Sequence, residues 1–250
     1  MKCMKLSKTW RRLLMVFGAA VVILTFLAWV PLWAVDVLAW ASPEIVWRVE
    51  TRQPVVALTF DDGPDPENTP LVLEILARHD ARATFFLVGE HARQHPQLVE
   101  RIRDAGHEIG NHTDSLGTTF FMSDARFEAS LLRAEQTLGL HSAAHPEGGP
   151  PRRKLFRPAG GTIRPSQAAL VRRHGYAIVL GSSYAWDPAQ PPATYIHWAI
   201  GKNLEPGAIA VLHDAKGNRA NTIAALEGIL SDGTAKGLRW VTLSELLADN

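Results

Sequence analysis

The pair Asp61-Asp62 follows an apolar run, Val55–Phe60, and enters a Gly63-Pro64 turn. Two adjacent carboxylates leaving a buried strand point in different directions. One can bind a metal while the other acts as a base. A solvated turn is the bland alternative, since Asp, Gly and Pro are common in turns. Four further polar groups stand where other strands are expected to end: Asn111-His112-Thr113-Asp114, Arg157 before Gly160-Gly161, Asp187, and His213-Asp214. Brought together at one mouth of a barrel, the five would form an active site. The chain has 1 cysteine, Cys3. It can form no internal disulfide and no cysteine-based metal cluster, so any metal must be held by His, Asp or Glu.

The elements that must position these groups are read from periodicity. Val55–Phe60, Ala83–Val88, Glu108–Gly110, Ala177–Leu180, Ala208–His213 and Arg239–Leu243 read as strands. Leu71–His79, His91–Ala105, Asp124–Leu138, Ser166–His174, Thr194–Asn203 and Asn221–Leu230 read as helices, with a short last one reaching Ala248. Ser123 is a fitting N-cap, and Gly106 and Gly139 fitting stops. Residues 141–154, rich in Pro, Gly and His, lack periodicity and read as a surface loop. Strands alternating with helices predict a parallel sheet with helices outside. The fold expected is a single distorted (β/α) barrel of about seven strands, whose reactive residues sit at the C-terminal strand ends.

The first stretch stands apart. Lys2, Lys5, Lys8, Arg11 and Arg12 precede an uncharged run from Leu13 to Val35. About 20 such residues cross a bilayer as a helix, with the basic flank on the cytoplasmic side. The expected order is therefore a basic cytoplasmic segment (1–12), a transmembrane anchor (13–35), a linker (36–52) and an exported domain (53–250). A cleaved signal peptide is the competing reading, because Ala39-Trp40-Ala41 fits a small-x-small cleavage pattern. The net charge of +1 gives no sign of nucleic-acid binding.

Thr59-Phe60-Asp61-Asp62-Gly63-Pro64 resembles the first motif of the polysaccharide deacetylases, carbohydrate esterase family 4. The segment 106–113, Arg157-Pro158-Ala159-Gly160-Gly161, Asp187 and Leu212-His213 are similar to its other four motifs, in order. The resemblance implies metal-dependent removal of acetyl groups from N-acetylglucosamine-containing glycans. It implies Asp61 as general base and Asp62 and His112 as ligands of a divalent cation, usually zinc, with cobalt or nickel as alternatives. Arg157 would orient the base, Gly160 would supply an oxyanion-binding N–H, and Leu212 would line the acetyl pocket. His213 would be the general acid, paired with Asp187.

The chain departs from the family pattern in one ligand. Leu116 stands where a second histidine is usual, and a catalytic zinc usually keeps three protein ligands. Asp114 could supply the third, since in an extended segment it faces the same way as His112. An added water is the second possibility, and loss of the metal the third. Ala159, Gly160 and Pro188 replace bulkier family residues. The alternatives for function are a non-catalytic glycan-binding protein of the envelope and a hydrolase of another acyl bond. Trp186 and Tyr184 are candidates to stack on a sugar ring, with core packing as the other reading.

Overall fold

The computed structural model describes residues 32–140 and 154–248, with isolated positions before them. The basic segment, most of the apolar run, His141 and His145 lie outside the described residues. Among the described residues no helix is long and apolar enough to cross a membrane.

The strands are β1 (Ile45–Val46), β2 (Val55–Asp61), β3 (Ala83–Leu87), β4 (Glu108–Asn111), β5 (Lys154–Phe156), β6 (Tyr176–Val179), β7 (Ser183–Tyr184), β8 (Ile209–His213) and β9 (Arg239–Val241). The helices are α1 (Leu32–Ala41), α2 (Asn68–Arg78), α3 (Gly89–Gln94), α4 (Pro96–Asp104), α5 (Asp124–Leu138), α6 (Pro165–Arg173), α7 (Ala193–Gly201), α8 (Ala220–Ala235) and α9 (Leu243–Ala248). Every strand pairing is parallel, in the order β1-β6-β5-β4-β3-β2-β8-β7, with β9 on the opening half of β2. The sheet curls into a distorted barrel. A bond from Val49 N–H to the Gly207 carbonyl, 3.0 Å, links the segment after β1 to the one before β8 across its seam.

The period-2 alternation of strands sorts the side chains into two layers. Val56, Leu58, Phe60, Ala83, Phe85, Leu87, Ala210 and Leu212 point outward and join the main core under the helices. Val55, Ala57, Phe86, Leu155, Val179 and Ile209 fill the barrel interior, closed below by Leu243 and Leu246 of α9. Continuing the inward set along each strand gives Thr59 and Asp61, then His112, Arg157, Val211 and His213. The same alternation that buries the barrel thus aims these groups at one mouth.

Three elements differ from the periodic reading. The helix expected over 91–105 is two, because Pro96 forces His95 out of helical geometry (φ −131°, ψ 57°). β5 is only 3 residues long, starts at Lys154 and has too few side chains to show a period. Ile45–Val46, expected in the linker, pairs with Ile178–Val179 as the edge strand.

Candidate active site

Asp61 ends β2 beside His213 of β8 and Phe86 of β3, in register with both. The Arg157 guanidinium holds it. Its Nη1 donates to Asp61 Oδ1 and to Thr59 Oγ1, each at 2.7 Å. Its Nε and Nη2 donate to the Val179 and Leu180 carbonyls at 3.2 and 2.6 Å. Arg157 is 2% exposed and lies 4.2 Å over the Phe86 ring. Gly110 makes room beneath, since a Cβ there would come within 2.6 Å of that ring. A buried ion pair whose guanidinium makes four hydrogen bonds is rigid, and it fixes which way the Asp61 carboxylate faces.

Asp62 turns away through a positive φ of 75°. Its carbonyl accepts a 2.8 Å hydrogen bond from His91 Nδ1, on α3. Its Oδ1 faces His112 Nε2 at 3.5 Å. The opposite face of that imidazole, Nδ1, meets the Arg157 carbonyl at 2.9 Å. A carbonyl only accepts, so Nδ1 carries a proton, and Nε2 is left facing Asp62, where it offers a lone pair whenever that nitrogen is unprotonated. Metal-binding histidines are held in this way, with the far N–H given to a carbonyl. A carboxylate and an imidazole lone pair facing each other fit a shared divalent cation. The Asp62 carboxyl is shifted below its usual range: burial opposes this, but hydrogen bonding to His112 and the nearby charges of His112, His213 and Lys216 prevail.

No third His, Cys, Asp or Glu completes a cluster with this pair among the described residues. Asp114 lies elsewhere. Thr113 adopts φ 70°, which ends the alternation that would have put Asp114 beside His112. Asp114 Oδ1 instead accepts from Arg93 at 2.6 Å and Oδ2 from Arg133 at 3.0 Å. Leu116 is half-buried.

His213 is held by a second carboxylate. Its Nδ1–H donates to Asp187 Oδ1 and its backbone N–H to Oδ2, both at 2.9 Å. Thr222 Oγ1 also donates to Asp187 Oδ2, at 3.1 Å. Burial opposes protonation of this ring, but the hydrogen bond and charge of Asp187, with Asp61 and Asp62 nearby, raise its pKa. The free Nε2 can then carry a proton at the mouth.

Leu212 does not line the pocket. Adjacent strand residues face opposite ways, so Leu212 packs in the outer core while His213 faces in. The inward residue beside His213 is Val211, nearly fully buried. Gly160, at φ 77°, lies in the short 3-10 turn Ala159–Gly161 that follows Arg157 at this end, and it is exposed across from Thr118. Tyr184 is half-buried and Trp186 is exposed.

Three further residues support the site; His91 and Arg219 carried no local sequence signal, whereas Asp214 stood in the His213-Asp214 strand end. One is His91, which braces Asp62. Another is Arg219, 2% exposed, which donates to the Ala215, Asp187 and Lys216 carbonyls at 2.7, 3.2 and 2.7 Å and so ties down the Asp187 turn. The third is Asp214, fully buried, whose carboxyl is pushed up to about 7 by burial. Its Oδ2 accepts from Thr69 at 2.6 Å, and its Oδ1, without a hydrogen-bond partner, abuts Gly63.

A family profile described as polysaccharide deacetylase matches residues 48–179. The chain belongs to the polysaccharide deacetylase family. It is 37% identical over 206 residues to a peptidoglycan-N-acetylglucosamine deacetylase of Bacillus cereus, covering 81% of this chain and 92% of that one. It is 32% identical over 208 residues to a chitooligosaccharide deacetylase of Azorhizobium caulinodans, covering 76% and 93%. Among solved structures, the Bc1960 peptidoglycan N-acetylglucosamine deacetylase superposes with a TM-score of 0.75 at 31% identity, covering 83% of this chain and 95% of that one. A family 4 acetyl xylan esterase from Clostridium thermocellum, solved with a cobalt ion, gives 0.68 at 30% identity, covering 78% and 90%.

Proposed function

We propose that this polysaccharide deacetylase hydrolyses N-acetyl groups of N-acetylglucosamine-containing glycans, releasing acetate, from a position anchored outside the cytoplasmic membrane. The arrangement that carries the reading is the pair of charge-fixed groups flanking Asp62 and His112: Asp61 locked by Arg157, and His213 locked by Asp187. Asp62 and His112 would hold a divalent cation, and zinc, cobalt and nickel all suit a carboxylate–imidazole set. When bound, the cation supplies Lewis acidity toward the acetyl carbonyl.

Asp61 takes a proton from water as the water oxygen bonds to the carbonyl carbon. Its carboxylate is aimed by Arg157. The Gly160 N–H would steady the oxyanion that forms. As the carbon–nitrogen bond breaks, His213 Nε2 gives a proton to the departing amine, leaving acetate and a free amino sugar. Asp187 keeps that imidazole protonated beforehand.

Asp61→Asn and His213→Ala should each lower acetate release from acetylated chito-oligomers at least a hundredfold, the low end of general acid–base contributions. Full activity in both would remove the assignment. A non-catalytic glycan-binding role is favoured by Leu116 alone. It predicts a purified protein that binds glycan, holds no metal and gains nothing from added zinc or cobalt, with Leu116→His restoring metal binding. Comparing acetate release from N-acetyl and O-acetyl sugars separates an amide-directed enzyme from an esterase.

A further inference from the structure

Helix α1 is unusual for this molecule. In the sequence LWAVDVLAWA it buries Val35, while Trp33, Val37 and Trp40 are 60%, 54% and 84% exposed. These three follow i, i+4, i+7 spacing and lie on one face, opposite the one that packs. Exposed apolar stripes of this kind mark interaction sites.

The position of the helix says with what. Arg48 pairs with Asp36 of α1 at 3.5 Å and with Glu205 at 2.7 Å, just ahead of β8. Asp36 and Trp40 share a cleft with Arg52, Gln53 and Pro206. Gln53 and Pro206 precede β2 and β8, so α1 lies at the N-terminal ends of the strands. The candidate active site lies at their C-terminal ends. β2 alone, 7 residues long, separates the two ends by roughly 20 Å. In sequence, the basic residues and the uncharged run beginning at Leu13 lead straight into α1.

We propose that the exposed face of α1 beds into the bilayer interface, standing the barrel on the membrane with its active mouth pointing away from the lipid. Tryptophan favours this depth because its ring is apolar and its N–H can stay wet. Arg52, exposed beside the cleft, is placed to meet lipid phosphates. This rests on reading residues 13–35 as an anchor and deepens the proposed function. A mouth held roughly 20 Å above the lipid reaches a glycan polymer in the wall and misses an acetylated sugar on a lipid head group.

The test uses the full chain in anionic phospholipid vesicles, in a Cys3→Ser background. An environment-sensitive fluorophore is placed through Trp40→Cys, or through Phe121→Cys in the exposed loop after His112. Quencher-bearing lipids should dim the label at position 40 severalfold and leave that at 121 unchanged. Vesicle-bound protein whose label at 40 stays unquenched, or whose label at 121 is quenched as strongly, overturns the docking while sparing the anchor. Protein recovered free of vesicles overturns both.

Discussion

Arg157 and Asp187 are the two residues on which the proposed chemistry turns, and each works through one partner. Arg157 spends its donors on Asp61, Thr59 and two carbonyls. Lysine cannot reproduce that fork. Asp187 acts on His213 through its hydrogen bond and its charge. The sign follows from the causes: a base whose folded pKa is raised keeps its proton to higher pH, so the acid function fails only as pH climbs through that raised value. Asp187→Asn removes the main raising influence while burial still lowers the pKa. The alkaline limb of the kcat/KM profile should therefore move to lower pH, alongside a fall in kcat. An unmoved limb would mean that His213 is not the group titrating. Asp187 also receives the Thr222 hydroxyl and the His213 N–H, so thermal unfolding should be followed to separate this from loss of fold.

The strands that carry Asp61, His112 and His213 are legible in the sequence because they are buried on both faces and end in polar clusters, whereas β5 before Arg157 and β7 before Asp187 are too short to show a period. Val55–Asp61 is buried throughout, and its run of V, L and F in the sequence admits little else. What the sequence concealed are breaks in a pattern. Thr113 at φ 70° sends Asp114 to Arg93 and Arg133. Counting a strand off by one residue puts Leu212 where Val211 belongs. Long-range braces such as Arg219 and His91 meet their targets 32 and 29 residues away, beyond any local periodicity. Gly110 lies within β4 as the sequence reads, but the reason it is glycine is long-range: the Phe86 ring fills its Cβ space. Gly110→Ala should cost about 1–3 kcal/mol, as overpacking does, measurable by denaturant unfolding. It should also lower kcat by tilting Phe86 under Arg157. An Ala variant as stable and active as the parent would show that the ring has room to move.

Taken whole, the molecule has two ends with separate tasks. One end gathers Asp61, Asp62, His112 and His213 by strand alternation; the other presents α1. The alternation of strands with helices foretold the barrel, and the order of motifs the family. The missing third ligand at Leu116 decides whether the chemistry is present at all, because two protein ligands give a weaker site than three. The most direct measurement is zinc or cobalt binding by titration calorimetry on the purified chain, its Asp62→Ala and its His112→Ala variants. One cation per chain in the parent, lost or weakened at least tenfold in each variant, is the predicted result. No binding in the parent, or binding that survives both substitutions unchanged, would contradict it.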